Sequence, residues 1–227
     1  LINNLLRAIT FWAVQSGGNM IYELALVARP ESTDDQVNAL KALVKDVVTT
    51  SKGEVLLEDD WGTLTYAQPD KNGGTRGRYS YLIFKTDSIE NNVELARRFR
   101  ISEDVLRHLI VKLADDNTDQ EAVLKNYKCP YSKSNNGSVT DEPESEDSDD
   151  NERKRFSRRK NCWFSARKFK ADWKDPKTFG WLVNEFGKIT PARVSGISVK
   201  HQRFVTTAVK RARNIGIASY LSNYTAE

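Results

Sequence analysis

The stretch "MIYELALVARPESTDDQVNALKALVKDVVTTSKG" (Met20–Gly53) opens with nine residues that form an apolar run of strand length. Ser32, Thr33 or Asp34 can then cap a helix, and Gly53 follows its end. Stepping 100° per residue, Val37, Leu40, Leu43, Val44, Val47 and Val48 fall within roughly 140°, which is one buried helix face. Beyond Gly53, "EVLLEDDWGTLTYAQP" reads as a long second strand bent near Gly62, and Asp70–Gly74 with its "NGG" as a turn. "GRYSYLIFKT" is a third strand, with Tyr79, Tyr81 and Ile83 on one face and Ser80, Leu82 and Phe84 on the other. "SIENNVELARRFR" is a second helix, with Ile89, Val93, Ala96 and Phe99 on one side, and "VLRHLIVKL" a fourth strand. The order β-α-β-β-α-β predicts an α+β, ferredoxin-like split βαβ domain over residues 20–113: a four-stranded antiparallel sheet with two helices on one face. Trp61 before Gly62 is expected to be core plus a bulge.

Outward from this domain the composition changes sharply. Residues 141–152 hold 8 acids and no base, whereas residues 153–227 hold 18 Lys/Arg against 4 Asp/Glu. Residues 1–140 carry 17 bases and 19 acids, so the net +4 of the 227-residue chain hides a basic C-terminal unit behind an acidic run. Residues 114–160 are few in apolar side chains and block-charged, and are expected to be a disordered linker, acidic then basic. A tether of ~30 residues spans roughly 30 Å, which suits docking of neighbouring units, and its acids can shield the basic unit. Residues 161–227 are expected to form a small basic helical domain, with a short helix within Asp175–Gly187 around Phe179, Leu182, Val183 and Phe186, and a longer one over Ser198–Ile215. Residues 1–19, apolar with one Arg, read as an N-terminal extension, with a targeting peptide as the other reading. No run approaches the ~20 apolar residues of a membrane span.

The helix near the C-terminus carries the sharpest pattern. With Lys200 at zero, Phe204, Val205, Ala208, Val209, Ala212 and Ile215 occupy about 40° to 180°, and Lys200, Arg203, Lys210, Arg211 and Arg213 the complementary arc. The segment has no acid to pair with these cations, so the i,i+4 pairs of an ordinary solvated face are missing. Upstream, "RKRFSRRK" and "NCWFSARKFKADW" interleave cations with aromatic rings. Cations neutralise phosphates and planar groups stack on unpaired bases, so an RNA partner is expected. A membrane is not, because the apolar face is mostly Ala and Val. Cys129 and Cys162 are the only cysteines and are expected to be reduced thiols. Their spacing with His108 and His201 fits no zinc pattern, so neither metal nor cofactor is expected.

The string "GKITPARVSGISVKHQRFVTTAVKRARNIGIASYL" (Gly187–Leu221) closely resembles bacterial small-subunit ribosomal protein S18, through Gly-Lys-Ile, Pro, Arg, a Gly turn, Lys-x-Gln-Arg and Lys-Arg-Ala-Arg. The resemblance implies ribosomal-RNA contacts at Arg193, Lys200, Gln202, Arg203, Lys210, Arg211 and Arg213, to which the basic run adds Arg158, Arg159 and Lys160. Where that family often closes with Leu-Leu-Pro-Tyr, this chain has Ala218-Ser219-Tyr220, so its C-terminal anchoring is open. Some relatives bind zinc through extra cysteines near the start of this module; only Cys162 stands there here. Residues 20–113 resemble ribosomal protein S6, in "MIYELALVARP", "EDDWGTLTYAQP" and "LARRFRISEDVLRHLIVKL". Thr63–Thr65 and Gln68 interrupt that family's usual run after Trp-Gly. The two resemblances imply a structural constituent of the small subunit, at its platform, with small-subunit ribosomal RNA and neighbouring ribosomal proteins as partners. They also imply that the two modules, normally separate chains, pair with each other through the sheet and its edge. Arg97, Arg98, Arg100 and Arg107 are candidates for RNA or inter-module contact. The implied location is a cytoplasmic bacterial ribosome rather than an organellar one.

Two rival functions share the split βαβ order. A free single-stranded RNA-binding module of RNA-recognition-motif type would need an aromatic residue directly after Gly77, where Arg78 stands, and Gly or Ala in place of Tyr79. An acylphosphatase-type enzyme would need a phosphate-cradling loop after the first strand, where Arg29-Pro30-Glu31 places an acid. No Ser-His-Asp, Cys-His or paired-carboxylate set is legible in the sequence, and no enzyme is expected.

Overall fold

The computed structural model describes residues 20–70, 73–114, 120–131 and 162–221, and the chain divides between Cys129 and Pro130 into two compact units. The expectations for residues 1–19 and for most of the linker, Arg158, Arg159 and Lys160 among them, lie outside the described residues.

In the first unit, strands β1 (Met20–Ala28), β2 (Glu54–Thr65), β3 (Arg76–Thr86) and β4 (Val105–Ala114) form one antiparallel sheet in the order β2-β3-β1-β4. Helices α1 (Asp34–Thr50) and α2 (Glu90–Ile101) complete the ferredoxin-like arrangement. Thr33 caps α1: its hydroxyl accepts from Gln36 N, and the Gln36 side chain accepts from Thr33 N at 2.9 Å. Two otherwise orphaned N–H groups are thereby satisfied. The period-two alternation then decides which residues meet the helices. Tyr22, Leu24 and Leu26 of β1 and Leu82 and Phe84 of β3 pack against Val44, Val47 and Val48 of α1 and against Leu95 and Phe99 of α2.

The face expected for α2 is corrected. Its buried residues are Asn91, Leu95 and Phe99, whereas Ile89 and Val93 are 61% and 66% exposed. Ile89, Val93 and Ala96 also repeat at helical spacing, but they lie nearly half a turn around from Asn91. What turns the helix is a polar knot: Asn91 bonds to the hydroxyls of Thr86 at the end of β3 and Ser51 at the end of α1. A polar residue at an anchoring position is invisible to a search for apolar periodicity.

Gly62 produces the predicted bend in β2. It has φ +75° and sits at a register shift against β3, and Trp61 beside it is buried. On the sheet face away from the helices, Trp61 stacks on Tyr81 (centroids 5.1 Å apart) and Tyr79 (6.4 Å). The expectation of a disordered linker from residue 114 is corrected at residues 120–127, which form a helix and a docked tyrosine. Helix α3 (Gln120–Asn126) carries the chain back, and Tyr127 lies on Tyr81 with ring centroids 4.8 Å apart and planes 6° from parallel. The Tyr127 hydroxyl donates to Asp59 Oδ2 (2.6 Å) and accepts from Trp61 Nε1 (3.0 Å). Burial and the Asp59 carboxylate both push the Tyr127 phenol well above its ordinary range.

The second unit contains α4 (Trp163–Ala166), α5 (Ala192–Ser195) and the long α6 (Val199–Ile215). The short helix expected within 175–187 is instead two single 3-10 turns, Pro176–Thr178 and Gly180–Leu182. Phe179 and Leu182 are buried as expected, but Phe186 is 73% exposed. Pro176 stands at the first position of its turn, where a missing N–H is tolerated, and Gly180, a poor helix former, stands where a longer helix would have to continue. Phe164, Trp173, Ile197 and the inner face of α6 complete the buried set.

Candidate nucleic-acid interface

Helix α6 is fixed at both ends. Ser198 caps its start by accepting from His201 N, and Gly216 ends it with φ +89°, which lets Ile217 N reach Ala212 O at 2.9 Å. Between the caps, Val205, Ala208, Val209, Ala212 and Ile215 are buried. Phe204, expected on that face, is 42% exposed; it sits at the edge of the arc, near the His201 ring. On the opposite side Lys200, Arg203 and Lys210 are exposed and Arg211 is half-buried. Arg193, on α5, is also exposed. Among the described residues no acid forms an ion pair with any of these five. Unneutralised cations on a rigid, capped helix make a concentrated positive field suited to a polyanion.

Two of the expected contacts are placed differently. Gln202 Nε2 donates to Thr190 O (3.0 Å), tying α6 to the turn before α5. Arg213 bonds through Nε to Ser219 O (3.0 Å) and through Nη2 to Gly187 O, and its guanidinium covers the Tyr220 ring at 5.2 Å. It therefore clamps the C-terminal segment onto the Gly187 turn, the anchoring that the sequence left open. Gly187 has φ +72°, and a side chain there would run into the Tyr220 carbonyl. Beside α6, Arg167 lies over the Trp163 ring at 4.9 Å, and Phe169 and Trp181 are 41% and 48% exposed.

The arginines of the first unit are mostly engaged locally. Arg97 holds Glu94 with two bonds of 2.8 Å and Arg98 adds a third of 2.8 Å. Hydrogen bonds from Arg97, then Arg98, hold the Glu94 carboxyl down at about 2. Arg107 bonds to Asp70 (2.9 Å) and lies over the Tyr66 ring at 5.0 Å. Arg100 is exposed near the half-buried His108, whose imidazole is held below its ordinary range by burial and then by the Arg100 charge.

The sequence reading missed two features. One is the Tyr127 strap, and the other is a Cys-His pair: Cys162 Sγ lies 3.4 Å from His201 Nδ1. Their separation of 39 positions matches no motif spacing, so only the fold brings them together. No helix among the described residues is long and apolar enough to cross a membrane.

Comparison with known proteins gives separate matches for the two units. The family model of Ribosomal protein S6 matches residues 21–112, and that of Ribosomal protein S18 matches residues 167–218. Small ribosomal subunit protein bS18 of Geotalea daltonii is 47% identical over 73 residues, covering 32% of this chain and 80% of that protein. Small ribosomal subunit protein bS6 of Geobacter metallireducens is 38% identical over 92 residues, covering 40% of this chain and 76% of that protein. Among solved structures, 30S ribosomal protein S6 of Thermotoga maritima aligns at 21% identity with a TM-score of 0.39, covering 42% of this chain and 88% of that one.

Proposed function

Because the chain belongs to the ribosomal protein S6 family through its first unit and to the ribosomal protein S18 family through its second, we propose that it binds small-subunit ribosomal RNA at the platform through α6. A structural role in the small ribosomal subunit follows from the two memberships. On this reading the two units pair with each other and with neighbouring small-subunit proteins, as parts of a bacterial cytoplasmic ribosome. No catalytic step is assigned to either unit.

The observation that carries the proposal is the division of α6 into a buried side and a side where Lys200, Arg203 and Lys210 stand exposed without acid partners among the described residues. Arg193 and Arg211 extend that field, while Gln202 and Arg213 support it from within. Arg100 is the exposed candidate of the first unit, and it forms no ion pair among the described residues. Arg97, Arg98 and Arg107 can contribute only through donors that their local acids leave open. A base-stacking role for the sheet, the rival reading, is disfavoured because Tyr127 already occupies the aromatic face.

The test is the salt dependence of binding to small-subunit ribosomal RNA. Replacing Lys200, Arg203 and Lys210 together with Ala is expected to weaken binding and flatten the slope of log K against log salt, by ~0.7–0.9 for each phosphate that is no longer neutralised. An unchanged slope would show that these cations do not touch the RNA backbone. Arg213 is left intact in this variant, so loss of the C-terminal clamp does not confuse the result.

A further inference from the structure

The Cys-His pair has no part in the RNA reading. Cys162 flanks the start of α4, and His201 lies in the first turn of α6. Besides approaching Cys162 Sγ at 3.4 Å, His201 Nδ1 lies 2.8 Å from Ser198 Oγ. The imidazole is held in place by stacking on the fully buried Phe164, with centroids 5.5 Å apart and planes within 18°. Cys162 itself is only half-buried.

We propose that Cys162, His201 and Ser198 form a reactive-thiolate site, at which a peroxide or another soft electrophile modifies the sulfur. The thiolate is the nucleophilic form of cysteine, and hydrogen-bond donors around the sulfur favour it. Burial raises the Cys162 pKa, but hydrogen bonds from the backbone and hydroxyls of Ser198 and Ser165 outweigh this and hold the thiol at about 6. The titratable group facing the sulfur from the opposite element is His201; on its own element, Arg167 is turned over the Trp163 ring. A Cys-His pair supplies two of the four donors of a structural zinc site, and no group of three candidate ligands exists among the described residues. The chemistry that fits is therefore covalent. With hydrogen peroxide, a thiolate lone pair attacks one peroxide oxygen, the S–O bond forms and the O–O bond breaks. Hydroxide leaves and is protonated to water, so the sulfur is oxidised to a sulfenic acid and the peroxide is reduced.

The pH of the test follows from magnitudes. At pH 6 a thiol held at about 6 is about half ionised, whereas an ordinary thiol near 8.5 is ionised to about 0.3%. The weaker intrinsic nucleophilicity of a less basic thiolate cancels roughly tenfold of that advantage, leaving a net gain of about tenfold. The full chain is treated with iodoacetamide at pH 6, native and unfolded in urea, and the Cys162 peptide is followed by mass spectrometry. Native Cys162 is expected to alkylate about tenfold faster than the same residue in the unfolded chain. Ser165→Ala, at an exposed position outside the helix caps, is expected to slow the native rate severalfold. Peroxide with dimedone is expected to leave an adduct on Cys162. A native rate no faster than the unfolded one, or no dimedone adduct at Cys162, overturns the proposal.

Discussion

Arg213 illustrates how a residue in a basic signature can hold the fold together. Its guanidinium joins the carbonyls of Gly187 and Ser219 and covers Tyr220, so three parts of the second unit meet at one side chain. Arg213→Lys keeps the charge but replaces a planar fork with a single ammonium, which cannot reproduce both bonds and the ring contact. Hydrogen bonds involving a charged group contribute ~1.5–3 kcal/mol, and a loss of stability in that range is expected from urea unfolding of the variant. A midpoint equal to the parent's would mean the clamp contributes nothing. The sequence showed Arg213 on the cationic arc of the helix, and that placement is right. It could not show that the arc curves under the C-terminal segment, because Gly187 is 26 positions away and both it and Ser219 contribute only backbone carbonyls.

At the scale of elements, apolar periodicity found the four strands, both sheet-packing helices and α6. It misplaced the buried face of α2, where Asn91 rather than Ile89 or Val93 anchors the helix, and it missed the short helix Gln120–Asn126, inside a stretch of linker-like composition. Few apolar side chains stand there, and one tyrosine makes several of the docking contacts. Tyr127 stacks on Tyr81 and bonds to both Asp59 and Trp61. Tyr127→Ala removes all three interactions and leaves the Trp61 N–H without that acceptor. It is expected to destabilise the first unit by about 1–3 kcal/mol, with a change in Trp61 fluorescence. Tyr127→Phe keeps the stacking and is expected to lose only the hydrogen-bond part. Equal destabilisation in the two variants would contradict this division.

The whole molecule joins an S6-type unit with near-balanced charge to an S18-type unit with a strong positive excess, through a run of acids. The split βαβ order was legible because strand alternation and helix capping point to the same topology. The cationic face was legible because one helix of 17 residues is long enough to separate its two sides. The Cys162–His201 pair was not, since it depends on how α4 meets the start of α6. Everything proposed for α6 requires this chain to sit in the small subunit with those cations against RNA. Lysine acetylation of the purified chain and of intact small subunits, compared peptide by peptide, tests this most directly. Lys200 and Lys210 are expected to react readily in the free protein and to be protected in the subunit. Absence of the chain from purified subunits, or equal reactivity of both lysines in the two states, would contradict the account.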